Sequence, residues 1–248
     1  MKTLFKRPIS MRNKIHHYCP GCGHGVIHRI TAEVLDELNL REKTIGIAPV
    51  GCAVYAYFYF NFDMIEVAHG RAPAVASAIK RVQPDKFVIS YQGDGDLASI
   101  GLAETVHAAN RGENLSFIFV NNAVYGMTGG QMAPTTVPGQ KTQTTKSGRN
   151  TAVSGFPLGM CELLTSVKGV AYLERTKITD SVNILKTKKA IKKAFNYQLE
   201  GRGFSMVEVL SPCPVNWNMA PVDAVKWIND EMIKHFPPGV YKDTGVSR

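Results

Sequence analysis

Residues 86–97 read KFVISYQGDGDL, and residues 115–122 read LSFIFVNN. In each stretch an apolar run ends abruptly in polar residues, a pattern typical of a buried strand that runs into a loop. We expect strands over Lys86–Tyr91 and Leu115–Val120, each followed by polar residues at its carboxyl end. Ligands of open parallel sheets bind at the edge where these carboxyl ends meet. The two stretches therefore predict a binding site at that edge.

The rest of the chain alternates between helix and strand patterns. Apolar residues recur at spacings of three and four over Gly23–Leu40, which predicts an amphipathic helix. The other predicted elements are the helices Ala72–Val82, Leu97–Asn110 and Ile184–Leu199 and the strands Lys43–Pro49, Ala171–Arg175 and Ser205–Leu210. This alternation indicates an α/β fold, an open and mostly parallel sheet with helices on both faces, in a single unit over residues 1–248. Ala123–Gly155 is rich in Gly, Thr, Gln and Pro, so we expect a functional loop there, either a lid or a partner-docking arm.

The composition is that of a globular protein. The 248 residues are 44% hydrophobic and 20% charged, which excludes a disordered chain, collagen and a coiled coil. Ile45–Phe62 carries no charge, but Pro49 and Gly51 interrupt it, so we expect a buried strand and a loop rather than a membrane helix. Met1–His17 is basic and lacks the apolar core of a signal peptide, which favours a cytoplasmic location. In that compartment five cysteines indicate metal or redox chemistry rather than disulfides.

Asp94 and Asn122 are the candidate metal ligands at the predicted edge. They supply one anionic and one neutral oxygen, which octahedral Mg2+ takes together with diphosphate oxygens and water. The glycines beside Asp94 let the backbone approach a phosphate, and the helix predicted to begin near Leu97 points its N–H groups at an anion. The simpler alternative is that Asp94 and Asp96 cap the helix while Asn121 and Asn122 form a turn. The position of both halves at strand ends favours the metal-diphosphate site.

Four of the five cysteines fit one metal centre. Cys19 and Cys22 form a Cys-x-x-Cys pair, while Cys52 and Cys213 each follow a predicted strand and so lie at the same sheet edge. Four thiolates suit a 4Fe-4S cluster, and prolines next to Cys19 and Cys213 are typical of ferredoxin-type loops. Structural zinc is the alternative, although zinc ribbons usually bring two close pairs of cysteines. Cys161 lies outside the pattern, and we expect it to be an ordinary buried thiol.

Five local motifs run through the chain. They are HYCPGCGHG at 17–25, VGC at 50–52, HGR at 69–71, GDGD at 93–96 and YGMTGGQ at 125–131. Gly-Asp-Gly followed at this interval by Asn121 and Asn122 resembles the thiamine diphosphate fingerprint. The five motifs, in this order, resemble the beta subunit of the 2-oxoacid:ferredoxin oxidoreductases, and the similarity extends from Cys19 to about Tyr241.

This resemblance implies a single thiamine diphosphate-binding domain over residues 1–248, with an N-terminal Cys-rich segment and a C-terminal extension. Its Mg2+ would be held by Asp94, Asn122 and the backbone carbonyl of Val124. The implied cofactor contacts are Val50, Gly51, Cys52, Ala53, His69, Gly95, Asp96, Gly126 and Met127. The implied ligands of the 4Fe-4S cluster are Cys19, Cys22, Cys52 and Cys213. A lone histidine is more often structural, but the position of His69 in His-Gly-Arg between apolar helices favours a cofactor contact.

The implied activity is oxidative decarboxylation of a 2-oxoacid to acyl-CoA and CO2, with electrons passing through the cluster to ferredoxin. Residues 130–136, GQMAPTT, resemble subunits that act on 2-oxoglutarate or on branched-chain acids such as 2-oxoisovalerate, and we prefer the branched-chain substrate. The activating glutamate is expected on a partner subunit, of the alpha or gamma type, because the chain has no second domain of adequate size. A non-oxidative thiamine decarboxylase would not need four thiolates. A zinc-stabilised nucleic-acid-binding module would leave Asp94 and Asn122 unexplained.

Two surfaces are open to partners in this interpretation. The loop Ala133–Asn150 and an aromatic run are candidate interfaces, although core packing explains the aromatics equally well. The run consists of Tyr55, Tyr57, Phe58, Tyr59, Phe60 and Phe62. Subtracting 20 Asp+Glu from 29 Lys+Arg leaves a net charge of +9, much of it on Ile184–Leu199. We expect a solvated helix face there rather than a nucleic-acid site, and a basic surface would also steer an acidic ferredoxin.

Overall fold

A computed structural model of the chain describes residues 6–245, so eight residues of the predicted 1–248 unit, 1–5 and 246–248, lie outside it. One seven-stranded sheet organises the described residues, in the order β2-β1-β3-β4-β6-β5-β7. Its strands are β1 Thr44–Pro49, β2 Asp63–Val67, β3 Phe87–Gly93, β4 Ser116–Asn121, β5 Val170–Lys177, β6 Phe204–Leu210 and β7 Gly239–Asp243. Neighbouring strands are parallel except β7, which pairs antiparallel with β5. The predicted α/β architecture is confirmed.

Ten helices accompany the sheet within residues 6–245. They are α1 His24–Glu37, α2 Ala56–Tyr59, α3 Ala72–Val82, α4 Leu102–Asn110, α5 Thr151–Ser154, α6 Met160–Thr165, α7 Ser181–Leu199, α8 Pro214–Trp217, α9 Pro221–Trp227 and α10 Ile233–His235. Every residue of β1, β4 and β6 is buried, because α1 and α7 cover one face of the sheet while α3, α4 and α6 cover the other. None of these helices combines the length and the apolar character that a membrane crossing requires.

Three predicted segments differ most clearly from the structure. The helix expected over Gly23–Leu40 ends at Glu37, and Asn39 then adopts a positive φ of 53°. The helix expected from Leu97 begins as a π-helical turn over Asp96–Ile100, before α4. The loop expected after β1 is helical instead, because a 3-10 turn over Cys52–Tyr55 continues directly into α2.

The strand order places the predicted motifs together. β2 and β3 lie on opposite sides of β1, so the direction in which successive strands are added to the sheet reverses at β1. Cys52 follows β1, Asp94 follows β3, Asn122 follows β4 and Cys213 comes after β6. All four strands are parallel, so these residues share the carboxyl edge at the position where open sheets bind ligands.

Candidate active site

A cavity of about 500 Å3 opens at the carboxyl edge, and we call it the strand-end cavity. Every residue predicted to contact thiamine diphosphate lies on its wall, as do the three predicted Mg2+ ligands. The full lining is His24, Val50, Gly51, Cys52, Ala53, His69, Gly93, Asp94, Gly95, Asp96, Asn122, Val124, Tyr125, Gly126, Met127 and Thr128. A Cβ atom added at Gly51 or Gly93 would meet no other atom within 4 Å, so the backbone there borders open space. A phosphate group could approach that backbone closely.

Three oxygen-bearing groups converge on one side of this cavity. One end of the Asn122 amide lies 2.7 Å from the backbone oxygen of Val124 and 3.2 Å from Oδ1 of Asp94. If the amide nitrogen occupies that end, it donates to both oxygens. If the amide oxygen occupies it, three acceptors face one another, an arrangement that a hard cation would satisfy. The donor set therefore fits Mg2+.

Asp94 is buried below this opening, with 2% of its surface exposed. Its Oδ1 accepts a hydrogen bond from the backbone N–H of Gly95 at 2.9 Å, and its Oδ2 accepts one from the Thr135 hydroxyl at 2.5 Å. Burial raises the pKa of Asp94 to about 7, although these hydrogen bonds oppose the shift. A bound cation would favour the ionised form, because an opposite charge lowers the pKa of a carboxyl group.

The carboxylate of Asp96 is committed to neighbouring protein groups. It accepts hydrogen bonds from the Nδ1 of His69 at 2.5 Å, from the backbone of Gly70 at 2.6 Å and from the side chain of Gln92 at 2.5 Å. The N-cap residue of the helical turn at Asp96–Ile100 is Gly95, which has no side chain, and the contacts of the Asp96 carboxylate differ from the capping role of the simpler alternative. Asp96 orients the His69 ring, which lies on the cavity wall with 27% of its side chain exposed.

The four predicted cluster cysteines line a second cavity, of about 720 Å3, which we call the cysteine cavity. Its lining is His17, Tyr18, Cys19, Cys22, His24, Cys52, Tyr55, Asn122, Gly126, Met127, Cys213, Pro214, Val215 and Asn216. Within residues 6–245, no three His, Cys, Asp or Glu side chains are grouped as the ligands of a single metal ion. Burial and the neighbouring thiols raise the pKa of both Cys22 and Cys52 to about 12. Thiolates at these positions would therefore need a positive centre to stabilise them.

The two cavities share part of their walls. His24, Cys52, Asn122, Gly126 and Met127 line both. A hydrogen bond from the Asn216 side chain reaches the Cys213 sulfur at 3.2 Å, and the same amide group donates to the Gly126 carbonyl at 2.9 Å. The side chain of Asn216 therefore links the two sites.

Several residues of the site were not predicted. His24 belongs to the Cys-rich motif and hydrogen-bonds the Tyr91 hydroxyl at 2.7 Å, but its position between the cavities depends on the fold. Thr135 reaches Asp94 from a loop 41 residues along the chain, which no local pattern reveals. Arg149 is also buried, and its guanidinium donates to the backbone carbonyls of Pro134 and Phe156, which belong to two separate segments.

The predicted aromatic run divides into a buried half and a partly exposed half. Tyr59, Phe60 and Phe62 are buried, so the second half of the aromatic run packs in the core and is not an interface. Tyr55, Tyr57 and Phe58 remain partly exposed.

Cys161 is fully buried as expected, and its thiol donates to the Glu208 carboxylate at 3.2 Å.

The basic helix α7 is partly neutralised by other elements. Lys188 forms ion pairs with Glu33 and Glu37 of α1 at 2.7 and 2.8 Å, and Lys192 pairs with Glu37 at 2.8 Å. Lys193 pairs with Asp243 of β7. The helix therefore presents less free charge than its sequence suggests.

Comparisons with known proteins agree with this geometry. Residues 50–209 match the family described as thiamine pyrophosphate enzyme, C-terminal TPP binding domain. The fold is similar to 2-oxoglutarate:ferredoxin oxidoreductase from Magnetococcus marinus, solved with 2-oxoglutarate, coenzyme A and succinyl-CoA bound. The TM-score is 0.80 over 98% of this chain and 87% of that chain, and the two are 24% identical. The class defined by fold and site is a thiamine diphosphate-binding module.

The sequence relatives narrow the family. The chain is 52% identical over 98% of its length to the ketoisovalerate oxidoreductase subunit VorA of Methanothermobacter thermautotrophicus, of which it covers 51%. It is 34% identical over 88% of its length to the 2-oxoglutarate synthase subunit KorB of Methanocaldococcus jannaschii, of which it covers 78%. The chain thus spans about half the length of the ketoisovalerate relatives. It belongs to the beta-subunit family of the 2-oxoacid:ferredoxin oxidoreductases.

Proposed function

We propose that this chain is the thiamine diphosphate-binding subunit of a 2-oxoacid:ferredoxin oxidoreductase. The enzyme would convert a 2-oxoacid and coenzyme A into an acyl-CoA and CO2 and would pass two electrons, one at a time, to ferredoxin. The observation that carries this proposal is the shared wall between the strand-end cavity and the cysteine cavity. A cofactor that releases electrons and a centre that accepts them would lie side by side.

The chain's own residues would bind the cofactor through its diphosphate. Asp94, Asn122 and the Val124 carbonyl would hold Mg2+, and the open backbone at Gly51 and Gly93 would admit the phosphate groups. His69, oriented by Asp96, would contact the cofactor with the rest of its ring. When bound, thiamine diphosphate supplies the carbanion and electron-sink chemistry that removes CO2 from a 2-oxoacid.

Cys19, Cys22, Cys52 and Cys213 would hold a 4Fe-4S cluster. The four cysteines line one cavity as a single Cys-x-x-Cys pair and two distant single residues, a pattern that favours a cluster over structural zinc, whose sites usually bring two close pairs. The hydrogen bond from Asn216 to the Cys213 sulfur would tune the reduction potential.

We propose a branched-chain substrate such as 2-oxoisovalerate. The ketoisovalerate oxidoreductase relatives are 52% and 50% identical to the chain, whereas the 2-oxoglutarate synthase of Methanocaldococcus jannaschii is 34% identical. Val50 and Met127 present exposed apolar surface at the strand-end cavity, which suits an aliphatic side chain better than a second carboxylate.

A partner subunit would complete the site. No glutamate is found among the described residues that line the strand-end cavity. The glutamate that activates the cofactor would therefore come from a partner of the alpha or gamma type, seated over the open cavity. Ferredoxin would take the electrons from the cluster.

The test is anaerobic co-expression with the partner subunits, followed by reduction of a viologen dye in the presence of coenzyme A. Pyruvate, 2-oxoglutarate and 2-oxoisovalerate are compared at equal concentrations. We expect reduction that depends on thiamine diphosphate and Mg2+ and is fastest with 2-oxoisovalerate. Faster reduction with 2-oxoglutarate would replace the substrate, and no reduction by a fully loaded complex would contradict the reaction class.

The cysteines offer a matched control for the cluster. Cys213→Ser should abolish the iron content, the acid-labile sulfide and the electron paramagnetic resonance signal of the reduced protein. Cys161→Ser changes a cysteine outside the cysteine cavity and should leave the iron content unchanged. Equal iron in both variants would contradict the proposed ligand set.

A further inference from the structure

Two opposite charges lie deep in the sheet, away from both cavities. Arg175 of β5 and Glu208 of β6 are cross-strand neighbours, and both side chains are 0% exposed. They form an ion pair in which Nε and Oε2 are 2.8 Å apart. Arginine and glutamate are almost never fully buried unless paired, and a buried pair is often no more stabilising than apolar residues of similar size. The sheet therefore gains little from this pair unless the charges serve another purpose.

The Glu208 carboxylate has a second contact that points toward the proposed Mg2+ site. Its Oε1 accepts a hydrogen bond from the Asn121 side chain at 2.8 Å. Its Oε2 lies in the ion pair with Arg175 and accepts a hydrogen bond from the Cys161 thiol at 3.2 Å. Both oxygens are thus engaged, and a rotation of the Asn121 side chain would leave Oε1 of Glu208 without its hydrogen bond.

Asn121 in turn supports a strained turn. Its side-chain oxygen accepts a hydrogen bond from the backbone N–H of Ala123 at 3.2 Å. Ala123 has a φ of 58°, in the left-handed region that is unfavourable for a non-glycine residue. The residues on either side of Ala123 are Asn122 and Val124, and one end of the Asn122 amide lies 2.7 Å from the Val124 carbonyl oxygen and 3.2 Å from Oδ1 of Asp94. The strained residue therefore sets the separation of two proposed Mg2+ ligands.

Arg175 is also fixed at its other end. Its terminal nitrogens pair with both oxygens of Glu162 at 2.8 and 2.6 Å, and the guanidinium packs against the rings of Phe236 and Tyr241. An arginine with this many contacts is a rigid anchor for Glu208.

We propose that Glu208, anchored by Arg175, is a positioning residue for the Mg2+ site, acting through Asn121 on the turn at Asn122–Val124. This inference rests on the proposed function, because it assumes that Mg2+ and thiamine diphosphate bind there. Neither Glu208 nor Arg175 touches the strand-end cavity. Their effect would be on the affinity for Mg2+, since residues that orient metal ligands typically change it 10- to 100-fold.

The test substitutes Glu208→Gln in the full chain. The glutamine side chain has a single acceptor oxygen and could not accept from Arg175 and Asn121 together. Mg2+ is titrated at saturating thiamine diphosphate, and binding is followed by the fluorescence of Trp217, whose Nε1 donates to the Asn122 carbonyl at 2.9 Å. We expect the half-saturating Mg2+ concentration to rise about 10-fold or more. Binding of thiamine diphosphate at saturating Mg2+ should change little.

Glu162→Gln is the matched control. It removes the other carboxylate from Arg175, but Glu162 is half-exposed and its hydrogen bonds go to Arg175 rather than to Asn121. A merely structural role for the buried charges predicts similar Mg2+ titrations for both variants at equal unfolding temperature. The proposal predicts a shift for Glu208→Gln alone.

The double variant Asn121→Asp with Glu208→Gln provides a rescue, because it exchanges the amide and the carboxylate between the two positions. The amide at position 208 would donate to the carboxylate at position 121, and its oxygen would accept from Arg175. The carboxylate at position 121 would still accept from Ala123, so the hydrogen bonds and the total charge are restored. We expect the Mg2+ affinity to return to within about threefold of that of the unmodified chain, well above either single variant. If Glu208→Gln does not fold, Asn121→Ser removes the same hydrogen bond while keeping the ion pair.

The outcomes separate the two proposals. If the unmodified chain binds thiamine diphosphate independently of Mg2+, the proposed site and the inference are both wrong. If the unmodified chain requires Mg2+ but Glu208→Gln or Asn121→Ser has the same requirement, the positioning role alone is refuted.

Discussion

Arg149→Ala tests how the loop between β4 and β5 is held in place, with Thr135 against Asp94 of the strand-end cavity. The Arg149 guanidinium donates to the carbonyl oxygens of Pro134 and Thr136 on one segment, at 2.8 and 2.6 Å. On the other segment it donates to Ser154, Gly155 and Phe156 at 3.0, 3.0 and 2.9 Å. Arg149 itself is 6% exposed. This one side chain therefore ties together two stretches of the loop, 134–136 and 154–156.

The size of the effect follows from these contacts. The five shortest of these hydrogen bonds, at about 0.5–1.5 kcal/mol net each, correspond to roughly 2.5–7.5 kcal/mol, and we expect about 4 kcal/mol because some carbonyls regain water in the variant. For a chain of this size, each kcal/mol lowers the unfolding temperature by about 2–4 °C. The expected decrease is therefore about 8–16 °C. Arg149→Lys should fall between, because one ammonium group cannot reach both segments.

The assay compares thermal unfolding of Arg149→Ala with that of Lys146→Ala, which removes an exposed charge from the same loop. Well below the unfolding temperature, Arg149→Ala should also be cleaved faster under limited proteolysis between 139 and 148. Thiamine diphosphate binding should weaken, because Thr135 would no longer be held against Asp94. An unfolding temperature for Arg149→Ala within about 2 °C of the control would refute the role of Arg149 as the clamp of this loop.

Three further predictions follow from single contacts. Burial lowers the pKa of His28 well below its usual value, so the unfolded chain takes up a proton there below about pH 6.5 and stability decreases as the pH falls. His28→Phe should make the acid side of the stability curve shallower by up to about 1.4 kcal/mol per pH unit in denaturant titrations, and an unchanged slope would contradict this. Asn216→Leu removes the hydrogen bond to the Cys213 sulfur. The midpoint potential of the proposed cluster should fall by about 20–60 mV in a redox titration, and a higher potential would contradict this. Gly93→Ala adds a methyl group to open cavity space and should weaken thiamine diphosphate binding without lowering the unfolding temperature. Gly95→Ala should lower that temperature as well, because the added carbon would lie 2.3 Å from the Tyr125 ring.

The parts of the fold that sequence predicts are those with strong local periodicity. α3 has the predicted bounds, and the buried strands β3 and β4 begin within one residue of theirs. β2 was not predicted, because its exposed and half-exposed residues lack a continuous apolar run. β7 was not predicted either, since its pairs with β5 are 64 or more positions apart in the chain and none of its residues is buried.

The same distinction applies to the site. Residues that follow strands, such as Asp94 and Cys52, could be placed from sequence because strand ends in a parallel sheet share an edge. Thr135, Arg149 and Glu208 could not be placed, since their contacts depend on how a long loop folds back and on which strands become neighbours. A buried glutamate in the run FSMVEVL was the one available signal for Glu208, because a charge inside an apolar strand needs a partner.

Because the two cavities share part of their walls, a substitution near Cys52 would affect both proposed sites. Cys52 lies between Gly51 and Ala53, which line the strand-end cavity, while its sulfur would bind the cluster. Its backbone carbonyl accepts a hydrogen bond from the Tyr18 hydroxyl at 3.1 Å, so the Cys-rich segment before α1 is also attached to this turn. A shift of the turn would displace a proposed cofactor contact and a proposed cluster ligand together. The short separation that would allow electrons to cross from one cavity to the other therefore also prevents the two sites from varying independently.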